Sequence, residues 1–191
     1  MKRIQTLFFA GLASLTFAAG ASGDSLLGQR YVGLSIGSDF DFDEASYGIE
    51  FNSNLHRGLD LGLDLASSDD GDRIMATLDL TFYRDLTGGQ RSFAYFSPIA
   101  GYVDLDYPSL FEDSNSFLYG AKVGIEHQLT DRTNLDLSTA YIDTDELGDL
   151  GVTFGVEINR WLTDSINAGV EISYNSEAED EAISLFGRWR F

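Results

Sequence analysis

Gly33-Leu34-Ser35-Ile36-Gly37 has the G-x-S-x-G spacing with which a hydrolase presents a nucleophilic serine on a sharp strand-to-helix turn. Such a serine needs a base, and the chain offers two histidines, His56 and His127. Ser35, however, falls in the middle of an alternating run, where small residues on one face of a strand explain the match without catalysis. Hard oxygen ligands are abundant in "DFDFDE", with Asp39, Asp41 and Asp43, and in "DDGD", with Asp69, Asp70 and Asp72. Calcium favours such donors, but neither stretch has the twelve-residue spacing of an EF-hand. They are weak metal candidates, and no cofactor is expected. Cysteine is absent, which removes disulfides, thiolate metal sites and a lipid-modified cysteine.

A third group of reactive side chains is set inside alternating runs. Glu50, Asp60, Asp64, Asp79, Lys122, Glu126, Asp136, Glu157, Glu171, Arg188 and Arg190 each share a parity with Gly, Ser or Thr and oppose an apolar parity. Leu59, Leu61, Leu63 and Leu65, for example, are set against Asp60, Gly62, Asp64 and Ala66. Period-2 alternation is the strand signature, and no window has helical periodicity. Ten such runs follow: 31–37, 45–52, 59–66, 74–83, 92–103, 117–128, 134–142, 151–159, 166–174 and 182–191. In the fifth, "AYFSPIAGYV", the parity is unclear, and Pro98 implies a missing ladder bond or a bulge, so its facing stays open.

The connections alternate too. Those after the odd-numbered runs hold 19 carboxylates and one arginine, Arg73; the other four hold five arginines and three acids. One end of the molecule is thus strongly acidic, as an up-and-down meander produces when its two ends meet different surroundings. At the N-terminus, Lys2 and Arg3 precede a short apolar stretch closing on Ala19-Gly20-Ala21, which reads as a signal peptide over residues 1–21 with a mature start at Ser22. No later window supplies the ~20 apolar residues of a spanning helix. Loss of Lys2 and Arg3 takes the formal charge from -19 to -21, so nucleic acid is a poor partner. Residues 22–191 suit one domain.

Periodicity alone does not say which face is wet. A soluble periplasmic lipid carrier would bury the leucines around a ligand. A transmembrane barrel would turn them to lipid and gather the charges inside. The export signal favours the membrane, as do strand lengths near the ~9–11 residues that cross a bilayer. So do aromatics at run ends (Tyr31, Phe51, Phe82, Phe93, Phe117, Tyr141, Trp161, Tyr174, Trp189), where interfacial girdles form. On that facing Ile183, Leu185, Trp189 and Phe191 touch lipid while Ser184, Arg188 and Arg190 point inward. Eight acids and three bases then crowd the lumen, where charge must be paired, hydrated or protonated.

The ending "ISLFGRWRF" resembles the C-terminal insertion signal of bacterial outer-membrane barrels, carried here by Trp189 and Phe191. The layout is similar to small outer-membrane barrel families, opacity-protein-like and OmpX-like. These usually have eight strands, so eight is the alternative to the ten counted. The resemblance implies a closed antiparallel barrel in the outer membrane, inserted by the barrel-assembly machinery. Outer-membrane lipids and lipopolysaccharide are the expected surroundings, and divalent cations would bridge lipopolysaccharide phosphates to the acidic rim. Barrel hydrolases place histidine at the outer rim; this chain has none there, so a non-enzymatic structural or surface-interaction role is expected. A narrow cation-selective pore is the alternative, because rings of Asp and Glu favour cations; a barrel hydrolase or a lipid carrier is more distant.

Overall fold

The alternation is realised as strands throughout the computed structural model, which describes residues 25–39, 45–68, 73–105, 114–145, 148–177 and 179–191. They are β1 (Tyr31–Asp39), β2 (Ala45–His56), β3 (Leu59–Ser68), β4 (Arg73–Asp85), β5 (Ser92–Leu105), β6 (Ser114–Thr130), β7 (Thr133–Thr144), β8 (Gly148–Trp161), β9 (Ile166–Asn175) and β10 (Asp180–Arg190). Each pairs antiparallel with its sequence neighbours, and β1 closes on β10 from Tyr31 opposite Arg190 to Asp39 opposite Ala182. Closure leaves no edge, so the wall's backbone polar groups are satisfied within the sheet, as lipid requires.

The side chains divide as a membrane barrel demands. In β3, Leu63 and Leu65 are exposed on the outer wall while Asp60 and Asp64 are buried inside. The outer wall continues with Leu34, Ile49, Leu78, Val123, Leu137, Val156, Ile172 and Leu185. The chain is therefore a closed ten-stranded antiparallel barrel, with ten strands and not eight.

The ambiguous fifth strand now has a facing. Phe93, Tyr95, Ser97, Ile99 and Val103 are buried inside, while Phe96 and Tyr102 are exposed outside. Both faces carry large apolar groups, which is why its parity was unreadable. Pairing with β4 lapses at Ser97 and Pro98, then resumes in the same register. Pro98 has no N–H to give, so a ladder bond is missing and there is no bulge.

Three girdle assignments are corrected. Phe51, Phe82, Phe117, Tyr141, Tyr174 and Trp189 are exposed on the outer wall, but Tyr31, Phe93 and Trp161 are buried within. Their parity is inward, and a segment preceding β1 packs against them. The expected signal peptide and Asp41, Asp43, Asp69, Asp70 and Asp72 lie outside the described residues; of Asp39 only the backbone is described.

Candidate functional site

Inward-facing positions of seven strands bring Glu50, Asp60, Asp64, Asp79, Glu126, Asp136, Glu157 and Glu171 into the lumen, all buried. Lys122 of β6 and Arg188 of β10 are buried with them. Arg190 does not join this cluster. It lies half-buried at the short-turn end, stacked 4.5 Å from the centre of the Trp161 ring and bonded to the Asp164 carbonyl oxygen.

Arg188 ties together strands that are not neighbours. Its Nε donates to Glu50 Oε1 at 2.6 Å, and its Nη1 to Glu157 Oε1 at 2.7 Å. β1 lies between β10 and β2, and β9 lies between β10 and β8. The ion pairs cross these strands because each presents glycine where they pass. Gly33 is in register with both Arg188 and Glu50, and a Cβ there would fall on the Glu50 side chain. On the other side the Phe186 ring covers Gly169, and the guanidinium stacks 3.9 Å from the centre of that ring on its way to Glu157. The same device recurs at Gly124, in register with Tyr95: the tyrosine lies over the glycine and donates to Asp136 on β7 at 2.8 Å.

Across the lumen, Thr81 donates to Asp79 at 2.7 Å and shares a 2.7 Å hydrogen bond with Ser97. Lys122 lies 6.0 Å from the centre of the Tyr95 ring. Five carboxyl oxygens, of Glu50, Asp79, Glu126, Asp136 and Glu171, have no hydrogen-bond partner among the described residues. Arg188, with a side chain 0% exposed, supplies charge-assisted bonds at the centre of this acid-rich interior.

The short-turn end is closed by residues that no motif had signalled. Leu26 and Leu27 are 0% exposed. Leu26 packs with Tyr31 and Trp161; Leu27 packs with Phe93, and Tyr83 meets the Phe93 ring edge-on at 6.3 Å. Gly28 turns the segment with a left-handed φ of 83°, so its N–H donates to Asp60 Oδ2 at 3.0 Å. Asn52 donates to the Gln29 carbonyl at 2.9 Å, and Asn54 to Asp60 Oδ1 at 2.8 Å. Burying each leucine contributes about 1.5–3 kcal/mol. The sequence signal was slight: an apolar pair and a glycine just before the first strand.

The hydrolase spacing has no catalytic geometry. Ser35 sits within β1, in register with Phe186 and Gly48, and neither histidine faces it. His56 is exposed at the end of β2, where its Nδ1 lies 3.2 Å from the Arg57 carbonyl. His127 faces outward near the short-turn end, with Nδ1 2.7 Å from Ser92 Oγ. Among the described residues no carboxylate bonds to that histidine, so the pair lacks the orienting group of a triad. Nor do three His, Asp or Glu side chains converge on a metal position among the described residues.

An apolar outer wall, a charged interior and a closed antiparallel meander together define a bacterial outer-membrane type of β-barrel. Among solved structures, the fold is similar to the KdgM porin at 7% identity and TM-score 0.53, covering 84% of this chain and 99% of that chain. It is likewise similar to the NanC porin, at 6% identity and TM-score 0.52 over 84% and 99%. An outer-membrane channel from Pseudomonas putida F1 aligns at 11% identity and TM-score 0.54 over 90% and 99%. At these identities the likeness is one of fold alone. No protein-family model and no curated protein matches the sequence.

Proposed function

We propose that this protein is a non-enzymatic structural barrel of the bacterial outer membrane, closed to ions, whose acidic loop end faces outward and takes part in surface interactions. The observation that carries this reading is the filled bore. Arg188 bridges Glu50 and Glu157 across it, and Leu26 and Leu27 stop it from the short-turn end. Ion-paired side chains that reach from β10 to β2 and β8 take up the space an aqueous path would need, as side chains fill narrow barrels generally. The short-turn end then faces the periplasm, and the opposite end, with 19 carboxylates in its connections and the strand ends beside them, faces outward, meeting lipopolysaccharide phosphates through divalent cations. Trp189 and Phe191, 59% and 71% exposed on the last strand and just beyond it, are the residues the assembly machinery would read.

A narrow cation-selective pore is the second reading, supported by the five carboxyl oxygens left without partners. Planar-bilayer recording of the purified full chain separates the two. A closed structural barrel leaves the bilayer at its baseline; reproducible cation-selective steps would reject it in favour of the pore.

A further inference from the structure

On the outer wall near the short-turn end lies a groove of about 190 Å³ lined by Arg30, Phe51, Ser53, Leu61, Leu63 and Phe191, among others. Phe51 and Leu63 are paired in register and both exposed; Ser53 and Leu61, paired two residues closer to the turn, are half-buried. Phe191 joins from the closing seam, its N–H donating to the Arg30 carbonyl at 3.1 Å. Tyr31 points inward, so Arg30, one residue earlier, has outward parity and stands exposed at the turn end of this apolar trough.

The position recurs on other strands. Arg84 follows the outward Phe82 by two residues, and Arg160 follows the outward Ile158 by two; both are exposed. Among the described residues no ion pair involves Arg30, Arg84 or Arg160, whereas the turn-borne Arg91 and Arg132 lie 3.9 and 3.3 Å from Asp131 and Asp164. Three exposed arginines therefore stand just beyond the apolar wall at the short-turn end. Arg30 in addition opens onto a groove.

We infer that this groove is a binding site for one anionic glycerophospholipid of the inner leaflet, with an acyl chain between Phe51, Leu61, Leu63 and Phe191 and the phosphate on Arg30. An apolar trough ending in a planar cation matches a molecule that is itself an apolar chain ending in a diester phosphate. The acyl chain chooses lipid over free phosphate, and the guanidinium chooses an anionic headgroup over a zwitterionic one. The inference rests on the short turns facing the periplasm and is independent of whether the lumen conducts.

The test is native mass spectrometry of the full-length mature protein taken from vesicles of equal phosphatidylglycerol and phosphatidylcholine. One phosphatidylglycerol per barrel should be retained in preference to phosphatidylcholine. Arg30→Gln should weaken that retention roughly five-fold, the loss implied by one fewer cation at a membrane surface. Leu61→Trp, which fills the groove and keeps the charge, should weaken it too, while Arg132→Gln should leave it unchanged. A heat-modifiability gel confirms that each variant is folded, and Arg30→Lys should restore part of the preference if the glutamine variant is not. Equal retention of the two lipids, equal losses in Arg30→Gln and Arg132→Gln, or displacement by millimolar inorganic phosphate would each overturn the inference.

Discussion

Replacing Arg188 by methionine keeps an unbranched apolar stem and removes the charge, leaving Glu50 and Glu157 facing each other's field in a site sealed from water. The wild-type contacts are short, 2.6 and 2.7 Å, and the arginine side chain is wholly buried. Removing one member of a buried ion pair costs on the order of 3–5 kcal/mol, because the remaining charge stays desolvated without a counterion. At a urea slope of ~2 kcal/mol/M this moves the unfolding midpoint down by roughly 2 M. The assay is urea titration of the barrel in lipid vesicles, scored by the folded band that survives SDS until boiling. The triple variant Glu50→Gln/Glu157→Gln/Arg188→Met removes all three charges and should recover most of the loss. A midpoint for Arg188→Met within about 0.5 M of wild type, or a triple variant no better than the single one, would refute the argument that charge pairing across the bore supports the wall.

Gly33→Ala should cost about 1–3 kcal/mol by pushing a methyl group into the Glu50 side chain, and the cost should shrink in an Arg188→Met background, where Glu50 has no cation to hold; the same titration reads both values. Leu26→Ala should destabilise by roughly 2–5 kcal/mol and loosen the packing over Trp161, so acrylamide should quench tryptophan emission more strongly than in wild type; unchanged quenching would mean that the segment does not seal the mouth. Chelating divalent cations at low salt should lower the thermal midpoint, since the screening length grows from ~10 Å at 0.1 M to ~30 Å at 0.01 M and the 19 carboxylates of the acidic end then repel one another; an unchanged midpoint would refute divalent bridging at that rim.

The strands were legible because nine of the ten runs keep two environments apart, as Leu63 and Leu65 against Asp64 and Ala66 show. The fifth failed for the converse reason: Phe93, Tyr95, Ile99 and Val103 give its inward face large, mostly apolar side chains as well, so its two faces look alike. The same cause misled the girdle. An aromatic at a strand end satisfies the rule for interfacial residues whether it points to lipid or inward, and Tyr31, Phe93 and Trp161 pack instead around Leu26 and Leu27. The identity of the lumen charges could be read from parity, but not their pairing. Arg188 meets Glu50 only because register aligns both with Gly33, and register is set by the closed sheet as a whole, beyond any local stretch of sequence. The left-handed turn at Gly28 and its bond to Asp60 are tertiary in the same sense.

The filled bore is tested most directly by single cysteines in a chain that has none of its own. Ser97→Cys and Ser184→Cys place a thiol inside the barrel, where the serines are 0% and 1% exposed, and Ser165→Cys places one in an exposed short turn as a control. Each folded variant in vesicles made leaky to the reagent is treated with a small cationic methanethiosulfonate. A filled bore requires that the turn thiol react to completion while both lumen thiols stay unmodified until the barrel is unfolded. Lumen thiols that react as fast as the turn thiol would show a water-filled bore open to cations and contradict it.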